Sequence, residues 1–178
     1  MTIYTGRGDA GQTDLRDSQR VSKAAPRIEA YGSVDEVNTV VGMAVPTGFD
    51  DIDDQLVAVQ NHLHIVQAQL ANPTHGPDDP TITDSEVERL EDWMDEADEE
   101  LEPLTSFILP GGAPAGAQLH HARAVCRRAE RRTVAFIETV DEVDTTPVVY
   151  LNRLSDLLFT LARLVNQREG HAERNPTY

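Results

Sequence analysis

Lysine is almost missing from this chain. Among 178 residues there are 15 basic ones, and Lys23 is the only lysine; 31 acidic residues leave a formal net charge of −16. Repulsion of that sign opposes docking on nucleic acid or on an anionic membrane, so neither is expected as a partner. A single cysteine, Cys126, excludes an internal disulfide framework. The apolar runs are only a few residues long, which argues against a transmembrane helix. The opening MTIYTGRGD lacks the basic and apolar regions of a signal peptide, and a cytoplasmic location is the resulting expectation. Scarce lysine beside plentiful Asp and Glu reads as a halophilic adaptation, in which salt screens self-repulsion and an acidic surface stays soluble. An ordinary acidic protein is the alternative.

What is present is mostly helical pattern. The length and a 39% hydrophobic content suit one domain over 1–178. A Gly-rich segment over 1–24 precedes a bundle expected over about 25–170. Pro26 opens a helix in which Ile28, Tyr31, Val34, Val37 (or Asn38) and Val41 recur at helical spacing. A second helix, DDIDDQLVAVQNHLHIVQAQLA, shows Ile52, Leu56, Val59, Leu63, Val66 and Leu70 on one face. Thr83 with Glu86 three residues on forms a capping-box pattern that opens a third. A fourth runs from about Pro114 to Val140 and a fifth from about Thr145 to Arg168. In the last, Leu151, Leu154, Leu158, Leu161 and Val165 form a bundle seam. No strand pattern of useful length is visible. The fold expected is an all-α, five-helix bundle of the ferritin-like up-down type.

Function is expected in the loops and on the fourth helix. The stretch RAVCRRAERR holds Arg123, Arg127, Arg128, Arg131 and Arg132, with only Glu130 among them to neutralise the charge. Arg123, Arg127 and Arg131 share one helix face. Such a run is ordinarily a solvated, salt-bridged surface. Its density here, and the fit of a guanidinium fork to phosphate oxygens, make a phosphate or polyphosphate site the competing reading. On the fifth helix Asn152, Ser155 or Asp156, Phe159 and Arg163 form a polar stripe beside the seam. GRGDAGQT has the glycine spacing of a P-loop with Gln12 in the lysine position, but it lacks the preceding buried strand and the immediate helix. What remains is a glycine loop whose backbone N–H groups, with Thr5 and Thr13, can converge on an anion. The histidines are scattered, with no E-x-x-H pair and no zinc spacing. Cys126 reads as a packing residue.

Taken in order, YTGRGDAGQTDL, RVSKAAPRIEAYGSVDEVN, FILPGG, ARAVCRRAERR and YLNRLSDLLFTLAR resemble the ATP:cob(I)alamin adenosyltransferases of the PduO type. The resemblance implies a homotrimer with active sites between subunits. It implies transfer of the 5′-deoxyadenosyl group of ATP to the cobalt of cob(I)alamin or a related reduced corrinoid, with triphosphate leaving. By position, it implies ATP contacts at Thr5, Gly6, Arg7, Gly8, Thr13, Asp14, Lys23, Arg127, Arg128, Glu130, Arg131 and Asn152. It implies that Asp35 and Arg123 form a salt bridge between subunits. It implies that Phe107 lies under the corrin ring and displaces the lower cobalt ligand, making cobalt(II) easier to reduce. Arg153 and Asp156 match motif positions near the site. Mg²⁺ is implied by the nucleotide chemistry, with Glu130 the best side-chain ligand. A cobalamin reductase and an adenosylcobalamin-dependent acceptor enzyme are the implied protein partners. Two departures from the family pattern T-x-T-G-D-K-G-T/S matter: Arg7 replaces a threonine and Ala10 a lysine. The alternatives to the enzyme are an ATP- or corrinoid-binding delivery or sensor protein, and a structural bundle whose arginines only bridge acidic neighbours.

Overall fold

A computed structural model describes residues 3–72, 74, 76–140 and 144–178. Among them are a two-stranded hairpin, β1 (Gln12–Asp14) and β2 (Arg20–Ser22), and five helices: α1 (Pro26–Gly42), α2 (Asp50–Ala71), α3 (Asp84–Asp98), α4 (Pro114–Ile137) and α5 (Thr146–Arg168). The helices fall where the periodicity predicts them. The hairpin is an addition: each strand has only three residues, too few for a period-2 pattern to register in the sequence.

Local chemistry accounts for the helix ends. Pro26, Pro114 and Pro147 occupy first turns, where a missing N–H costs nothing. The Thr83 N–H donates to Oε2 of Glu86 at 2.8 Å, completing the capping box of α3. Gly170, at φ 72°, stops α5 in the left-handed conformation that favours glycine.

Cross-helix contacts fix the directions. Asn38 Nδ2 donates to the Gln60 carbonyl (3.2 Å), Gln60 Nε2 donates to that of Asn38 (3.3 Å), and Arg27 reaches the Leu70 carbonyl (2.8 Å), so α1 and α2 run antiparallel. On α4 and α5, Glu130 meets Asn152 and Arg123 meets Phe159, again antiparallel. Glu91 of α3 meets Arg153 and Glu100, just past the end of α3, meets Arg168, so α3 and α5 run parallel. The directions alternate along the chain, as in an up-down bundle. The helices neighbour one another in the order α2, α1, α4, α5, α3.

The seam residues Leu151, Leu154, Leu158, Leu161 and Val165 are all buried, as are Ile52, Leu56, Val59, Leu63, Val66 and Leu70 on α2. Ile28 and Tyr31 of α1 are only half-buried, and Ala30 takes the inner position. One polar pair is built into this core: Nδ1 of His62 lies 3.1 Å from the Tyr150 hydroxyl. No helix among the described residues is long and apolar enough to cross a membrane.

Candidate active site

The five arginines of α4 separate into distinct roles. Arg128 and Arg132 turn toward α1, where Arg128 pairs with Glu36 and Arg132 lies 3.6 Å from Glu29. For these two, the acidic-neighbour reading of the run holds within the chain. Arg131 donates to the Arg127 carbonyl at 2.8 Å. Arg127 is exposed, and its guanidinium makes no hydrogen bond or ion pair among the described residues. Arg123 turns toward α5, its guanidinium carbon 5.9 Å from the Phe159 ring centroid, with its Nε buried and without a hydrogen-bond partner among the described residues.

Residues of α5 meet this run. Asn152 Nδ2 donates to Oε1 of Glu130 at 3.0 Å, so the one acid inside the arginine run is engaged in orienting an amide. Arg153 bridges Glu91 at 2.7 Å and Asp156 at 3.3 Å, which places it on the α3 side and away from this run. Cys126 is fully buried and donates its S–H to the Leu151 carbonyl (3.2 Å). Burial, with Glu130 adding to it, pushes its thiol far up despite Arg127, so it is a packing residue and not a thiolate.

Phe107 stands on the loop between α3 and α4, 82% exposed. With Leu104, Ser106, Ile108, Arg123 and Phe159 it lines a cleft of about 570 Å³. That is the size and chemistry of a ligand site: aromatic and apolar walls with one charged group.

The N-terminal segment is a separate unit at the end of the bundle where α1 begins. Gly6 (φ 71°) and Gly11 (φ 76°) adopt left-handed conformations in two successive turns, closed by Asp9 N–H to the Gly6 carbonyl and Gly11 N–H to the Gly8 carbonyl, both 3.2 Å. Lys23 donates its N–H to the Gly11 carbonyl (2.9 Å) and lays its side chain across Gly8, where an added Cβ would come 2.9 Å from Nζ. Thr5 accepts the Arg7 N–H at 3.4 Å, and Thr13 pairs with Val21 in the hairpin. Arg7 turns back to Asp14 (3.0 Å), and Arg20 lies 3.9 Å from the same carboxylate. Asp14 thus holds Arg7, while Arg20 beside it donates Nε to Oε1 of Gln12 at 3.0 Å. Arg16 reaches across to Asp79 and ties the hairpin to the loop after α2.

Among the described residues, no hydrogen bond or ion pair joins this hairpin to Arg127, Glu130 or Asn152. Asp35 is likewise apart from Arg123. It lines a shallow groove between α1 and α4 with Glu36, Thr39, Val40, His121, Val125 and Arg128. One chain therefore carries the expected residues in three groups: the glycine loop with Lys23, the Asp35 groove, and the α4–α5 face with the Phe107 cleft. No cluster of three or more His, Cys, Asp or Glu side chains suited to a metal occurs among the described residues. Glu130 is a single carboxylate within the arginine run, which fits Mg²⁺, an ion that relies mainly on phosphate oxygens and water.

The sequence reading missed Asn166. It is buried on α5 and its amide fills a notch left by two glycines, Gly112 and Gly116; a Cβ on either would overlap it. A polar residue inside the apolar run LARLVN, with glycines at the far end of a neighbouring helix, is the signal that points to it.

A helical bundle that sets an exposed arginine row on α4 near a cleft lined by Phe107 and Phe159 has the chemistry to take an anionic group beside an apolar one. Comparison with known proteins narrows this. The family model for cobalamin adenosyltransferase matches residues 3–165, and the chain belongs to that family. It is 44% identical over 173 residues to the corrinoid adenosyltransferase of Mycobacterium leprae, covering 92% of this chain and 91% of that one. It is 41% identical over 175 residues to that of Bacillus subtilis, covering 96% and 89%. Among solved structures, a Phe-to-His variant of the PduO-type ATP:corrinoid adenosyltransferase of Lactobacillus reuteri, complexed with cobalamin and ATP, superposes with a TM-score of 0.91 at 31% identity, covering 98% and 96%.

Proposed function

We propose that this protein transfers the 5′-deoxyadenosyl group of ATP to the cobalt of a reduced corrinoid. The cobalt(I) electron pair attacks C5′, the C5′–O bond breaks, and triphosphate departs with the bonding pair, leaving an alkylcobalt(III) product. The observation that carries this reading is the placement of Arg127. Arg127, exposed and without a side-chain partner among the described residues, stands four residues, about 6 Å along α4, from Arg123, which lines the cleft with Phe159. A corrin in the cleft and a triphosphate on Arg127 and Arg131 leave C5′ between them. A preorganised cation at the leaving group lowers the barrier most, because it interacts more strongly with the departing charge than with bound ATP.

The three separated groups are reconciled by a homotrimer. The glycine loop and Lys23 of one subunit cover the α4–α5 face of the next, and Asp35 meets Arg123 across the same interface. Lys23, Thr5, Gly6, Gly8 and Thr13 then contact the phosphates, with Arg7, Asp14 and Arg128 supporting them. Phe107 displaces the lower cobalt ligand, so that a reductase partner can deliver the electron. Mg²⁺ accompanies ATP, with Glu130 on its outer side. The substrate belongs to the type of cob(I)yrinic acid a,c-diamide or cobalamin, and an adenosylcobalamin-dependent enzyme receives the product in the cytoplasm.

The test is an anaerobic reaction of ATP, Mg²⁺ and chemically reduced cob(I)alamin at low and at molar KCl. Light-sensitive adenosylcobalamin and triphosphate are expected together, faster at high salt. A folded sample that binds ATP without forming either is instead a delivery or sensor protein.

A further inference from the structure

We propose that Arg163 and Asn166, one turn apart on α5, are positioning residues that fix where Phe107 stands, and that the C-terminal segment 170–178 completes the clamp. This rests on the role given to Phe107 above. The loop that carries Phe107 has no helix or strand between Leu101 and Ala113. The Phe107 ring is almost fully exposed, so its own packing does not locate it. Its place is set by whatever holds the loop on either side.

Both sides are held by α5. Arg163, nine-tenths buried, donates NH2 to the Glu102 carbonyl at 2.8 Å and Nε to Oε1 of Glu173 at 2.6 Å. Asn166 donates Nδ2 to the Gly111 carbonyl at 2.8 Å and accepts the Ala113 N–H on Oδ1 at 2.9 Å. Its own carbonyl accepts the His171 N–H at 2.8 Å, turning the chain back along the loop. The returning segment then pairs with the loop itself, where the Leu109 N–H donates to the Arg174 carbonyl at 2.7 Å. Residues 175–178 line a second hollow with Ser106 and Phe107.

The side chains are specific to the task. An amide carries its donor and its acceptor on separate atoms, so it can serve two backbone groups two residues apart at once. Gly112, at φ 111°, and Gly116 leave it the space. Burying the Arg163 charge is costly unless it is paired and hydrogen-bonded, and Glu173 with the Glu102 carbonyl supplies both. A charge on the C-terminal segment is therefore linked to the start of the Phe107 loop through one guanidinium.

The test compares Asn166→Asp, Glu173→Gln, Phe107→Ala and the double variant Asn166→Asp with Phe107→Ala. Asn166→Asp keeps the acceptor for Ala113 and replaces the donor to Gly111 with an oxygen. Transfer is measured from cob(II)alamin with a reductant and from pre-reduced cob(I)alamin, and amide hydrogen exchange is followed over 102–113. For Asn166→Asp the expected result is a loss of about tenfold or more from cobalt(II), with the cobalt(I) rate within about threefold and faster exchange confined to the loop. Glu173→Gln moves the same way by a few-fold. In the double variant, Asn166→Asp adds nothing to Phe107→Ala, because both act through one ring. Equal losses from both cobalt states, or additive losses, overturn the positioning role while Phe107→Ala remains selective. If Phe107→Ala is itself unselective, the role of Phe107 falls and this inference falls with it.

Discussion

The carboxamide of Asn152 on α5 is tethered to the Glu130 carboxylate on α4, 3.0 Å from nitrogen to oxygen. The tether assigns Glu130 the work of orienting Asn152 beside Arg127. A glutamine at 130 can still accept that bond, whereas an alanine cannot. By calorimetric titration with Mg·ATP, Glu130→Gln is expected within about threefold of the parent, and Glu130→Ala about tenfold weaker, the value of one charge-assisted hydrogen bond. Equal weakening in both variants would identify the carboxylate charge, and hence the metal, as what matters.

On the proposed mechanism, Arg127→Ala removes a cation from the leaving group while leaving the fold's described contacts in place. Its kcat is expected to fall by about 100-fold or more. Its melting temperature should move little, since a surface change of this kind costs within about 0.5 kcal/mol. Lys23→Ala should also be severely impaired. Mixed and reassembled, the two inactive variants should regain about a quarter of the parent activity, because one interface in four then pairs an intact Lys23 with an intact Arg127 from the next subunit. No recovery on mixing would place both residues in one subunit's site.

Gly8→Ala tests the glycine loop. The added methyl carbon meets Nζ of Lys23 at 2.9 Å and Cε at 3.2 Å, and only the flexible end of the lysine has to move. Stability is expected to hold while ATP affinity drops about tenfold, since the compact ammonium is displaced from its position. Binding titrations alongside thermal melts check the separation, and a parallel loss of both would show the lysine to be structural.

Much of this site was legible in the sequence because helices announce themselves. Leu151 to Val165 and Ile52 to Leu70 were readable as buried faces, and Thr83 with Glu86 as a cap, because spacing alone determines which side points inward. The arginine run was legible as a cluster, but its division of labour was not. Whether Arg128 faces Glu36 or a phosphate depends on how α1 packs on α4, and no local pattern encodes that. The hairpin escaped notice because three-residue strands carry no period. Asn166 escaped because its partners are backbone groups more than fifty residues earlier in the chain.

The buried pair of His62 and Tyr150 makes stability depend on pH. Burial lowers the His62 pKa, opposed by Glu86 and assisted by Arg89, and burial together with Arg123 lowers that of His120. Both are therefore neutral in the folded state to lower pH than in the unfolded chain, which takes up protons first. Stability is fully present above the unfolded value of about 6.5 and is lost as pH falls below it toward the folded values. Denaturant midpoints should drop between about pH 7.5 and pH 5.5, before the carboxylates titrate. His62→Asn should flatten part of that slope, and an unchanged slope would remove His62 from the account.

The most direct test of the central claim is a single-turnover reaction of ATP labelled at C5′ with pre-reduced cob(I)alamin in the dark. The products are resolved by carbon resonance spectroscopy and phosphate chromatography. The account predicts one labelled carbon bonded to cobalt for each intact triphosphate released. Cleavage to pyrophosphate and phosphate without a cobalt–carbon bond, or ATP bound and left whole, would contradict it.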